Sequence, residues 1–358
     1  MEERPRFTAP ALHALVTSVL ERLEVPEQDA RAAADALIAS DLMGIDSHGV
    51  ARFSGHPSYV PGLARGVVNP RPFPVVVTEQ PSTALLDGDR GMGVVIATRA
   101  MRMAIEKARG SGVGMIAVTN SRHFGIAGHF ARMAVSEGMI GIAMTNAFPQ
   151  VALPGGVGPV LGTNPIALAA PRDGGPPFCV DIASSVGAAG KAEIARRAGK
   201  RMPPGWVVDA DGNPTDAPEA VLGGGGALLP LGSTVESGAH KGYGLAAMVD
   251  VLCGVLSGVG HGAVLDPLSW ECGHFLAAIR IEAFRPLSAF TSAMASMAST
   301  IVHAPRQAGV PPFRIHGEPE HEAEQDRRAH GIPLHPEVVA DLRSVSARYG
   351  VPFPAAVA

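Results

Sequence analysis

The chain has 358 residues, enough for two or three domains and a large core. Hydrophobic residues make up 46% and charged residues 17%, which excludes a disordered chain. A net charge of -4 offers no basic field for nucleic acid, and 5% aromatics offer no base-stacking platform.

Cys179, Cys253 and Cys272 are odd in number and widely spaced. They match neither a disulfide framework nor a zinc pattern, and they fit a reducing cytoplasm. Residues 1–10 are charged and lack an apolar core, so no signal peptide is expected. The most apolar run, 243–256, is too short to span a bilayer and carries Asp250.

Thr8 can cap a first helix with Leu12, Leu15, Val16 and Leu23 along one face. Pro26 suits the first position of a second helix, whose apolar stripe is Ala30, Ala34, Leu37 and Ile38. That helix ends near Gly44 and delivers the turn Asp46-Ser47-His48-Gly49. Histidine has the unperturbed pKa nearest neutral pH, so His48 can give or take a proton. Arg52, four residues on, shares its face if Gly49 opens a helix, and its planar fork suits a carboxylate. Read alone, the stretch also fits an ordinary helix cap with a surface arginine.

Residues 54–82 are rich in Pro and Gly and read as loop, with a strand at 75–78 and another at 85–87. Residues 91–109 read as a helix stopped by Gly110. Strands at 114–120 and 139–146 both end in Thr-Asn and flank a helix at 127–137. The simplest arrangement is a pair of parallel neighbours with both Thr-Asn ends on one ligand-binding edge, where Ser121-Arg122-His123 adds a second histidine. Such residues also simply end strands.

Gly162-Thr163-Asn164-Pro165 follows a flexible loop, and 166–170 and 178–182 read as strands. Asp181 inside the second strand must bond to backbone or face a ligand. Residues 188–201 form a basic helix, read as a solvated face. His240-Lys241-Gly242 opens an apolar helix whose free N–H groups can attract an anion. A strand follows at 275–281, then a helix at 287–302, a polar loop at 316–321 and a surface helix at 335–349.

No G-x-G-x-x-G lies between a strand and a helix, and Walker A, H-E-x-x-H and G-x-S-x-G are absent. His316, His321 and His330 could form a metal cluster, but their spacing suits no helical pair of ligands.

The ordered set resembles the malate/L-lactate dehydrogenase family that lacks a classical Rossmann domain. It comprises Ser47-His48-Gly49 with Arg52, residues 121–125, Gly162 to Pro165, Asp181-Ile182-Ala183, 204–209, 240–244 and Gly317-Glu318-Pro319. The match runs from about residue 11 to about residue 322. The resemblance implies an α/β fold with a mixed or parallel sheet and an unusual, non-Rossmann NAD(P)-binding domain. A helical N-terminal region, 1–75, is expected to pack with 323–358, leaving 76–322 as the α/β region. It implies hydride transfer with NAD or NADP in a homodimer acting on a small 2-oxo or 2-hydroxy acid, in the cytoplasm, with neither nucleic acid nor membrane as partner.

By the same resemblance, His48 is the proton donor with Ser47 beside it, and His123 is a second acid–base candidate. Arg52 holds the substrate acid, with Thr163 and Asn164 nearby. Asp181, Ile182, Ala183, His240, Lys241, Gly317, Glu318 and Pro319 contact the dinucleotide, and no metal is expected. Other readings are a reductase of cyclic 2-imino acids, a non-catalytic dinucleotide-binding relative, and a hydrolase using the C-terminal histidines. The sequence departs from the family where a tyrosine usually follows the arginine by four residues. His56 stands there and Tyr59 comes three later, as if 54–58 held a short insertion.

Overall fold

A computed structural model describes residues 4–357. The helix Ala9–Arg22 starts as expected: Thr8 Oγ1 accepts from the Ala11 N–H at 3.3 Å, and Leu12, Leu15, Val16, Val19 and Leu20 are buried. Pro26 directly precedes the second helix, Glu27–Leu42, rather than forming its first residue. Glu27 and Asp29 in its first turn complement the helix dipole. Both helices bury their stripes in one core with Ile332, Val338, Leu342 and Val345, so the two chain ends pack together.

The centre is a seven-stranded mixed sheet. In chain order its strands are β1 (Val75–Glu79), β2 (Thr83–Asp87), β3 (Val113–Ser121), β4 (Met139–Thr145), β5 (Ile166–Ala170), β6 (Phe178–Ile182) and β7 (Cys272–Arg280). In space they run β1-β2-β3-β7-β4-β5-β6. Only β2 and β3 pair in parallel, joined through the helix Gly93–Ser111. That helix runs through Gly110 and closes at Gly112, where φ is 84° and a side chain would be strained.

The expectation that β3 and β4 are neighbours is corrected. β7, which arrives from far along the chain, inserts between them and pairs antiparallel with both. Sequence adjacency is a rule of connection, and a late strand can displace it. β3 and β4 still run the same way, so their Thr-Asn ends share an edge. Glycines let helices lie close on this sheet. A Cβ on Gly114 would sit 1.9 Å from the Ala104 carbonyl oxygen, and one on Gly141 2.1 Å from that of Ala131.

Two further expectations change. The polar stretch after His316 is the start of a helix, Glu318–His330, rather than a loop. It buries no residue, so it carries no apolar stripe to betray it. The helix opening at Ala239 turns into a π-helical segment at Asp250–Val255.

Candidate active site

The Ser47-His48-Gly49 turn is held from below. Buried Asp41 accepts from the Val50 N–H at 2.8 Å and so caps the short helix Val50–Phe53. Gly49 gives it room, since a Cβ there would lie 1.9 Å from Asp41 Oδ1. Arg327 bridges the Asp41 carbonyl and the Asp46 carboxylate. The turn is therefore fixed before any ligand arrives.

His48 lies where two cavities meet. One is a groove of about 490 Å³, lined among others by Ser47, Asp181, Ile182 and Ala183. The other is a chamber of about 290 Å³ holding Arg52, His56, His123 and Trp270. His48, Thr163 and Ala188 line both. Burial, then the Arg52 charge, lowers the His48 pKa to about 4, so the ring is neutral at pH 7. Its Nδ1 lies 2.8 Å from Ser47 Oγ. A hydroxyl can donate or accept, so His48 can carry its proton on either ring nitrogen.

The other two imidazoles lack that freedom. His123 Nδ1 accepts from the Gly125 N–H at 3.3 Å and faces the Tyr59 hydroxyl at 3.3 Å. Its neutral form therefore carries the proton on Nε2. Burial holds its pKa well below the usual histidine range. The rings of His48 and His123 are 5.6 Å apart and nearly parallel.

Arg52 Nε donates to the Ser47 carbonyl at 2.7 Å, and Nη1 donates to Glu193 at 3.0 Å. Burial lowers the guanidinium's pKa while Glu193 opposes that shift. Glu193 belongs to the helix Ala189–Arg197, which corrects the reading of 188–201 as a solvated face. Gly190 in its first turn lies against Ser47 and Arg52, where a Cβ would meet Arg52 Nη2 at 2.5 Å.

Thr163 lines both cavities, but Asn164 does not face the chamber. Asn164 is fully buried; its Oδ1 accepts from the Ala147 N–H at 3.1 Å and its Nδ2 donates to the Ala246 carbonyl at 2.9 Å. Its expected substrate contact is replaced by a bridging role. The Thr-Asn strand ends are likewise engaged inside the protein. Asn120 Nδ2 donates to Asp87, and Asn146 ties Gly273 to Asp250. Beneath them lies His274, absent from the sequence reading. It bridges Thr145 and Ser121 at 2.8 Å each and stacks on Phe124 at 4.8 Å.

Asp181 accepts from the Gly128 N–H at 2.7 Å, and burial raises its pKa to about 6. It thus bonds to backbone and also lines the groove. Gly317, at φ 98°, lies where a Cβ would come within 2.7 Å of the Pro177 carbonyl, in a side cavity that shares Asp181 and Glu320 with the groove. Glu318 is engaged by Arg172 at 3.0 Å and the Ile315 N–H at 2.9 Å, and Pro319 stands in the first helical turn. His240 and Lys241 are exposed at the start of the helix Ala239–Val249, behind Leu231, which lines the groove. Several small residues line the groove wall, including Gly44, Gly125, Ala183 and Gly187. They let flat rings and sugars approach the main chain, so this lining fits a nicotinamide dinucleotide.

A buried neutral imidazole set between a groove and a smaller chamber suits a cofactor-dependent oxidoreductase. The malate/L-lactate dehydrogenase family profile matches residues 7–343, and the chain belongs to that family. It is 45% identical to the malate dehydrogenase of Pyrococcus abyssi, over 98% of this chain and 96% of that one. It is 42% identical to the L-sulfolactate dehydrogenase of Methanocaldococcus jannaschii over 67% of each. The crystal structure of malate dehydrogenase from Entamoeba histolytica superposes with a TM-score of 0.95 at 36% identity, covering 99% of this chain and 100% of that one. The chain is accordingly a hydroxy-acid oxidoreductase. Among the described residues, no helix is long and apolar enough to cross a membrane.

Proposed function

We propose that the chain is an NAD(P)-dependent dehydrogenase acting at C2 of a small 2-hydroxy or 2-oxo acid. The observation that carries this reading is His48, which opens on both groove and chamber with a guanidinium four residues away. The dinucleotide, when bound, supplies or accepts the hydride. Ser47, Asp181, Ile182, Ala183 and Gly317 would hold it, with His240, Lys241, Glu318 and Pro319 at the margin. Arg52 pairs with the C1 carboxylate. With its Nδ1–H donated to Ser47 Oγ, His48 takes the C2 hydroxyl proton at Nε2 during oxidation, becoming an imidazolium, and returns it during reduction. His123 donates Nε2–H to the C2 oxygen. NADH and NADPH oxidation against a panel of 2-oxo and 2-imino acids tests the reading. Turnover confined to 2-imino acids would instead favour the imine reductase, which the names of the relatives do not support first.

The low His48 pKa sets a pH dependence. Oxidation needs the neutral ring, which is present above about pH 4 and lost as pH falls through that value. kcat/KM for the hydroxy acid is expected to be flat above about pH 5 and to fall about tenfold per pH unit below about pH 4. kcat/KM for reduction should instead decline as pH rises from 5 to 8. An acid limb for oxidation near pH 7 would contradict the neutral His48.

Lys241 stands in the first turn of its helix and carries an exposed ammonium there. Lys241→Ala is expected to weaken dinucleotide binding about tenfold, as a charged hydrogen bond to phosphate is lost. Fluorescence titration reads this directly, and unchanged affinity would remove Lys241 from the phosphate site.

We also propose a cytoplasmic homodimer. The cysteines are free, which suits a reducing compartment. Tyr243, Met248, Val251 and Val255 are exposed on one apolar helix face, which supports self-association. Sedimentation equilibrium should return twice the chain mass of 36.8 kDa. A concentration-independent monomer would refute the dimer.

A further inference from the structure

We propose that His56 determines substrate choice: its Nε2–H binds a hydrogen-bond-accepting group beyond C2, so the enzyme prefers 2-hydroxy acids that carry a second oxygen-bearing acceptor. This rests on the dehydrogenase reading above and assigns the far end of the same chamber.

The chain that follows Phe53 gives His56 its place. The His56 N–H bonds to the Arg52 carbonyl at 2.9 Å, so the chain makes one more helical turn after Val50–Phe53. His48, Arg52 and His56 are thereby spaced four residues apart and present to one chamber. His56 Nδ1 accepts from the Ser58 N–H at 3.2 Å. The neutral ring must then carry its proton on Nε2. Burial, followed by the Arg52 charge, lowers its pKa to about 3, so it is a neutral donor rather than a cation. Nε2 makes no hydrogen bond among the described residues, and it is not one of their fully enclosed unpaired atoms. The side chain lines the chamber, so Nε2 is the ring nitrogen left to meet a ligand there.

The rings form a row. His123 stands 5.6 Å from His48 and 4.6 Å from His56, and Trp270 backs His56 at 4.4 Å. Phe148 closes the wall at 4.5 Å from Trp270. With C1 on Arg52 and the C2 oxygen between His48 and His123, the next carbons run toward His56. An alkyl end there leaves the Nε2–H without a partner. An acceptor oxygen satisfies it, and sites built around such a donor discriminate strongly against analogues lacking the acceptor.

The test compares racemic malate with racemic 2-hydroxybutyrate, of matched chain length but without the distal acceptor, using NAD+ and NADP+. Wild type should favour malate in kcat/KM by at least about tenfold. His56→Phe keeps a ring against Trp270 but has no N–H. It should lower the malate-to-hydroxybutyrate ratio at least about tenfold, mainly through the KM for malate. NAD(P)H binding confirms that the variant is folded; if His56→Phe fails this check, His56→Leu is read by the same criterion. An unchanged ratio in the folded variant, or a wild type that favours hydroxybutyrate, overturns the role of His56 while leaving the dehydrogenase reading intact. Wild type inactive on both substrates and on the wider panel overturns both.

Discussion

His48→Ala is expected to lower kcat for hydroxy-acid oxidation at least about 100-fold while changing dinucleotide affinity by less than about twofold. The argument comes from the tautomers. His56 and His123 each spend Nδ1 on a backbone N–H, at 3.2 and 3.3 Å. Either could act as a base at Nε2 only by giving up that bond. His48 spends Nδ1 on Ser47 Oγ, which can reverse its role. The proton can therefore arrive at one nitrogen while the other keeps a partner. His123→Ala, which removes a donor to the C2 oxygen and the acceptor of the Gly125 N–H, should cost about tenfold. Steady-state kinetics on both variants reads the order. If His123→Ala is the more damaging, the base is His123.

Arg52→Lys should lower kcat/KM for a 2-oxo acid about 100-fold, despite keeping the charge. The guanidinium is fixed by three neighbours: the Ser47 carbonyl, Glu193 and the Gly190 turn. These hold the guanidinium at a set angle beside the chamber, with Nη2 against Gly190. A lysine ammonium can reach Glu193 or the substrate, but it cannot hold the Ser47 carbonyl as well. Loss should appear in kcat as well as KM, because a carboxylate held loosely also misplaces C2 relative to His48. A change in KM alone would mean that Arg52 contributes affinity without orientation.

The site was legible where its chemistry is local. Ser47, His48, Gly49 and Arg52 lie within six residues; the helix begins only at Val50, and the turn before it brings His48 to the chamber that Arg52 also lines. Thr163 and Asp181 were legible as polar residues at strand edges. What the sequence hid is non-local. Glu193 sits 141 residues from Arg52, and nothing in a helix rich in arginine marks one glutamate as its partner. Trp270 reaches His56 across more than 200 residues. A buried amide and a ligand-binding amide look alike in sequence, and the two backbone partners of Asn164 become visible only in the fold. The fold shows the same division. Helix caps and strand runs follow from nearest neighbours, whereas the insertion of β7 between β3 and β4 is a choice of partners that no local pattern encodes.

The central claim is that Arg52 and His48 together read a carboxylate beside an oxidisable carbon. It is tested most directly by kcat/KM for one 2-oxo acid and its methyl ester under identical conditions. The account predicts that the ester is poorer by about 100-fold, because esterification removes the charge that pairs with the guanidinium. Equal use of acid and ester would show that Arg52 is not the carboxylate clamp and would contradict the account.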